Sequence, residues 1–166
     1  MTISSHFKKL GATYKNIQWS NSARAETGTA FLRCWTHEKE VKNGRISVML
    51  VRNEHVSRSK LGWNERNDYL KGSIEKGQPV FVVFVTLVQE YHDKTGDWKV
   101  KHLNKSTLYR VDSNSLTHNE NGDMYATILE SVPVRDYIEA TFFNGNLTRN
   151  QHGWMVILKG RVSNLT

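Results

Sequence analysis

RNEHVSRSKLGWNERNDYLKGSIEKGQPVFVVFVTLVQ, residues 52–89, joins a cationic loop, an amphipathic segment and a long apolar run without a break. Trp63, Leu70 and Ile74 stand seven and four residues apart, which predicts a helix over 63–76 with these three on one face. Arg66, Asp68, Lys71 and Glu75 fall largely elsewhere on that helix and are expected to face water. Gly77 supplies a stop signal and Pro79 blocks continuation. The run Val80–Val88 is nearly continuous Val and Phe, the composition of a central strand covered on both faces.

Outward from this unit the chain reads mostly as strands. Residues 1–28 are polar and end in SNSARAETG, a loop closed by Gly28. TAFLRCW reads as a strand. Asn43-Gly44 ahead of RISVMLV is a hairpin signal, so residues 29–52 are expected to form a hairpin. Lys94-Thr95-Gly96-Asp97 reads as a turn between VTLVQEY and WKVKHL. STLYRV follows, then the polar excursion DSNSLTHNENGD, then the strand MYATILESV. VRDYIEATFF fits a short helix or a strand, and GWMVILKGRV fits another strand. At least six strands and one main helix predict a β-dominated α+β fold, a curled mixed sheet or partly closed barrel. With 166 residues, no repeat and no Pro-rich linker, residues 1–166 read as a single domain.

Composition narrows the function classes. Hydrophobic residues at 38% and charged residues at 23% are ordinary for a soluble globular chain. A net charge of +7 favours a polyanionic partner, nucleic acid first. No strongly basic amphipathic helix points to an anionic membrane, and no run approaches the roughly 18 apolar residues of a membrane span. Cys34 is the only cysteine, which excludes an internal disulfide and a multi-Cys zinc site; inside FLRCW it reads as a buried, inert thiol. MTISSHFKKLG lacks an apolar signal core, so a cytoplasmic setting is expected.

Basic side chains beside a flat aromatic suit a phosphate backbone with a stacked base. Arg52, Arg58, Lys60 and Arg66 are the candidate phosphate contacts, with Ser57 and Ser59 as neutral donors. Glu54, Glu65 and Asp68 do not obviously neutralise this segment. Trp63 opens the helix beside it and could staple the helix or stack on a base. Trp19 sits among Gln18, Ser20 and Asn21, whose side chains can read a base edge. Trp35, in its apolar strand, reads as core and Trp98 as cross-strand packing, while Trp154 fits either role. The histidines show no zinc spacing, and no Gly-rich phosphate cradle or nucleophile elbow is present. No cofactor or metal is expected. Glu40-Val41-Lys42 and Asp97-Trp98-Lys99 match a minimal acid-x-Lys pair of Mg²⁺ nucleases, and His55 beside Glu54 could serve as a general base.

The segment IEKGQPVFVVFV resembles the helix-to-strand passage of the PUA-like superfamily, which includes EVE, ASCH and YTH domains. WSNSARAETGTAFLRCW and GWNERNDYLKGSIEKG also resemble a group of small bacterial proteins with a Trp-Ser start, an FLRVW-like strand and a Gly-aromatic-x-Glu-Arg helix. The likeness covers roughly residues 18–90. It implies a small barrel whose pocket receives a flipped or modified base, as in recognition modules of restriction, defence or RNA-modification systems. The reading is therefore a nucleic-acid binder, for DNA before RNA, without chemistry of its own. The alternatives are a small nuclease or DNA glycosylase on the same scaffold, and a basic protein-interaction module.

Overall fold

The computed structural model describes residues 2–16 and 19–142 with their side chains, and residue 143 and residues 147–148, 154–158 and 161–165 by their backbone. Five α-helices occur among them: α1 (Ile3–Lys9), α2 (Asn53–Ser57), α3 (Leu61–Glu75), α4 (Gln89–Thr95) and α5 (Val134–Ile138). The strands of the first half are β1 (Ala12–Thr13), β2 (Ser22–Ala25), β3 (Ala30–Trp35), β4 (Lys39–Lys42), β5 (Arg45–Val51) and β6 (Val80–Leu87). Then come β7 (Val100–Leu103), β8 (Thr107–Val111), β9 (Thr117–His118) and β10 (Met124–Pro133). A separate antiparallel meander comprises β11 (Leu147–Thr148), β12 (Trp154–Leu158) and β13 (Arg161–Leu165). The expectation of one main helix is thus too few, although α3, at 15 residues, is much the longest.

The ten-stranded mixed sheet runs β1-β2-β3-β6-β8-β10-β5-β4, with β7 on β6 and β9 on β10. Its centre is the parallel pair β3 and β6, in register from Ala30↔Val80 to Trp35↔Val85. Side chains alternate across this pair. Phe31, Phe81, Val83 and Val85 face a core shared with Phe7 and Leu10 of α1 and its flank and with Tyr137 of α5. Leu32, Cys34, Val80, Val82 and Phe84 face a second core with Leu50 of β5 and with Tyr69 and Leu70 of α3. Every residue from Val80 to Val85 is buried, as the apolar run predicts, and each such side chain contributes about 1.5–3 kcal/mol of burial. On the first face Phe31 stacks on Phe81 at 5.7 Å while Tyr137 meets Phe31 edge-on at 5.8 Å. The sheet curls without closing: β5, four places from β3 along the hydrogen-bonded order, returns so that Cys34 Sγ lies 3.8 Å from the Met49 carbonyl.

Several local expectations change in three dimensions. The Asn-Gly turn does close a hairpin, with Asn43 and Gly44 at φ 52° and 75°, but it joins β4 to β5. β3 pairs instead with β2 and β6, because an apolar strand is better covered at the sheet centre. SNSARAETG contains β2, whose Ser22, Ala23 and Ala25 are buried, and residues before it form α1 and β1. VTLVQEY ends as a strand at Leu87 and turns into α4, so Gly96, at φ 73°, caps a helix and does not close a hairpin. VRDYIEATFF is helical, α5 followed by a π-type turn through Phe143.

α3 buries Gly62, Glu65, Arg66, Tyr69, Leu70 and Ser73, which recur at three- and four-residue spacing along one stripe. Trp63 and Ile74 sit half-buried at its margins, and Arg66 points inward, contrary to the expectation from apolar spacing alone. The helix ends as its sequence predicts: Gly77, at φ 64°, donates to the Ile74 carbonyl and Gln78 to that of Ser73, the paired bonds of a Schellman cap.

Candidate nucleic-acid interface

β3 delivers Arg33 and Trp35 to the open end of the curled sheet, and the short turn after it adds His37 and Glu38. α2 and the residue before it supply Arg52, Glu54 and His55, and the first turns of α3 supply Trp63 and Arg66. Asn21 and Trp98 complete a cleft of about 660 Å³. Three of its lining residues are tryptophans and two are histidines. Trp98 lies 5.3 Å from Trp35 and stacks on His37 at 5.5 Å with 17° between the rings. His55 stands 5.1 Å from Trp63. Guanidinium groups cover two of the rings, Arg33 over Trp35 at 5.7 Å and Arg66 over Trp63 at 5.1 Å. Burial, then the nearby Lys60 and Arg52, lower the His55 pKa, so its imidazole is neutral at pH 7.

Arg66 is the floor of this cleft and a structural plug. Its Nε donates to the Leu50 carbonyl of β5, and its Nη1 donates to the carbonyls of Arg33, in β3, and Asn21. Nη2 donates to Cys34 Sγ at 2.9 Å. One side chain thus serves main-chain acceptors on both sides of the seam where β3 and β5 approach without pairing. Only 2% of Arg66 is exposed, which corrects its reading as a surface phosphate contact.

The remaining candidates scatter. Arg52 lines the cleft but is paired with Glu38 at 2.7 Å, and Arg58 is paired with Glu54 at 3.1 Å on the surface. Ser57 is exposed and donates to the Glu54 carbonyl; Ser59 occupies a left-handed turn at φ 53°. Lys60 is exposed where the chain enters α3. The cationic loop is therefore largely neutralised, by Glu54 within it and by Glu38 from outside it. Trp63 lines the cleft, whereas Trp19 does not: its carbonyl abuts Gly62 and its ring lies on the surface. Ser20 is buried, its Oγ accepting from the Asn16 N–H at 3.1 Å. Asn21 lines the cleft, and its Oδ1 is buried without a hydrogen-bond partner. Gln18 and the Trp154 side chain lie outside the described residues.

Trp35 and Trp98, read from sequence as packing residues, are the main additions to the site. A usable signal was present in the strings W-T-H-E and W-K-V-K, aromatics at the ends of strands among polar neighbours. The acid-x-Lys pairs do not converge: Glu40 is paired with Lys42 at 3.2 Å on β4, and Asp97 follows α4. Among the described residues, no three His, Cys, Asp or Glu side chains gather as a metal-holding group. Comparison of the whole chain with family models, with curated proteins and with solved structures gives no match.

Proposed function

We propose that the cleft receives a flipped or modified base of a nucleic acid, DNA in preference to RNA, and that the protein binds it without chemistry of its own. The observation that carries this reading is the convergence of Trp35, Trp63 and Trp98 on one cleft with Arg33 and Arg52 beside them. Flat π-faces hold a base of any sequence, and the guanidinium groups offer donors to its edge or its phosphate. The Asn21 amide, with an acceptor still unpartnered, suits an exocyclic amino group. The curl that returns β5 to β3 around a buried Arg66 supports a PUA-like barrel as the finer description of the sheet. A cytoplasmic recognition module of a restriction or defence system is the setting that accords with this reading.

The test is quenching of tryptophan fluorescence by oligonucleotides carrying normal and modified bases. Trp98→Ala and Trp63→Ala should each weaken binding by about 1–3 kcal/mol, roughly 5- to 150-fold, with the melting temperature little changed. Trp19→Ala should bind as the parent does. Full affinity in folded Trp98→Ala and Trp63→Ala would place the base elsewhere and end this reading.

A further inference from the structure

One run of positive charge without ion pairs among the described residues lies on and beside β7, away from the Arg52–Lys60 loop. From Trp98 to Val111 the chain contains no Asp or Glu but carries Lys99, Lys101, Lys105 and Arg110. Arg110 is buried and paired with Glu130 at 2.8 Å. No ion pair to Lys99, Lys101 or Lys105 occurs among the described residues. β7 pairs with β6 alone, so its outer edge faces no described strand, and Val100, Lys101 and His102 are exposed. Lys101 lies at a register shift of β7 and Lys99 just before the strand, so the two flank Val100, roughly 6.7 Å apart along the chain at about 3.3 Å per residue. That spacing is comparable to one step between successive phosphates of an extended strand.

Aromatic platforms adjoin these lysines. Trp98, immediately before Lys99, is 51% exposed while its ring forms the cleft wall, and His92 lies 4.5 Å from it. Tyr91 of α4 is also exposed, with Lys99 Nζ 5.3 Å above its ring. Partly exposed rings beside lysines suit unpaired bases, since a duplex hides its bases in the stack.

We propose that an extended single strand of nucleic acid lies along β7, its phosphates on Lys99 and Lys101, while one of its bases enters the cleft past Trp98. This rests on the base-binding reading of the cleft and adds the form of the polymer and its path. Backbone anions at β7 supply the affinity that depends on salt, and the cleft supplies the selection of a base.

The experiment measures anisotropy of a labelled single-stranded oligonucleotide and of its blunt duplex over a range of salt, and tryptophan quenching by a deoxynucleoside. The parent and Lys99→Gln/Lys101→Gln are compared. We expect the parent to bind the single strand more tightly than the duplex. The double variant should lose at least tenfold in oligonucleotide affinity, and its log–log salt slope should shrink by about 1.4, or 0.7 per lysine. Its response to the deoxynucleoside, which carries no phosphate, should match that of the parent. An unchanged slope and affinity in the double variant, or tighter binding of the duplex by the parent, overturns the β7 path while leaving the cleft intact. Failure of the parent to bind any of the three ligands overturns both.

Discussion

Arg66 serves three carbonyls and a thiol from a position that a residue-by-residue reading assigns to solvent. Nothing in N-E-R-N-D marks it as buried, because its acceptors belong to Leu50, Arg33 and Asn21 and meet only when the sheet curls. Long-range backbone geometry of that kind leaves no local pattern. Arg66→Ala should leave those carbonyls without a donor, at about 1–3 kcal/mol each when buried, so a loss on the order of 3 kcal/mol or more is expected in urea unfolding. A parental midpoint combined with lost ligand binding would make Arg66 a contact residue after all. Cys34 behaves as its apolar surroundings predict. Burial pushes its thiol pKa up, and the adjacent Arg66 opposes this only in part. The thiol is therefore protonated at neutral pH, and a maleimide should label it only after unfolding; rapid labelling of the native protein would contradict the buried site.

At the scale of the element, α3 and β6 were the most legible parts, since a stop signal and a continuous apolar run are local. The polar stripe of α3 was not, because Gly62, Glu65, Arg66 and Ser73 carry no hydrophobic signature. Two glycines of this helix give opposite predictions. A Cβ at Gly62 would stand 2.1 Å from the Trp19 carbonyl oxygen, so Gly62→Ala must push the main chain apart and should lower the melting temperature. Gly72 has nothing within 4 Å of that position, and Gly72→Ala should raise stability by up to about 1 kcal/mol through helix propensity. Thermal melts of the two variants moving in the same direction would refute this packing of α3. α1 carries a pH dependence. His6 is buried, neither ring nitrogen has a hydrogen-bond partner, and burial, then Lys9 and Lys105, lower its pKa. Well above pH 6.5 it is neutral whether folded or unfolded and contributes no pH dependence. Below that, the unfolded chain takes the proton first, so stability should fall as pH drops from about 6.5 towards the depressed folded value. His55 shifts in the same direction. Urea midpoints between pH 7.5 and 5 should show the decline, and His6→Phe should flatten it; an undiminished decline in that variant would exonerate His6.

For the whole molecule, the β-dominated mixed sheet and its curl were readable from the succession of short apolar runs. The order of strands was not, since β3 and β5 look like natural hairpin partners until β6 competes for the same edge. The charge of +7 was equally plain, but where it remains unneutralised depends on pairs such as Arg52 with Glu38, which join separate elements. Binding of single-stranded oligonucleotide should weaken linearly on a log–log plot against salt, and affinity indifferent to salt between 50 and about 200 mM would deny any role to that charge. The sheet's central pair has one more consequence, in time. Residue 30 pairs with residue 80 and residue 35 with residue 85, fifty positions along the chain. The β4–β5 hairpin can form by itself in microseconds, but contacts so far apart make folding slow. At a synthesis rate of about 5–20 residues per second, β3 waits roughly 3–10 s for its partner to be made. Throughout that interval Ala-Phe-Leu-Arg-Cys-Trp has only β2 beside it and lacks its central partner, which leaves this stretch of the nascent chain the more open to wrong contacts.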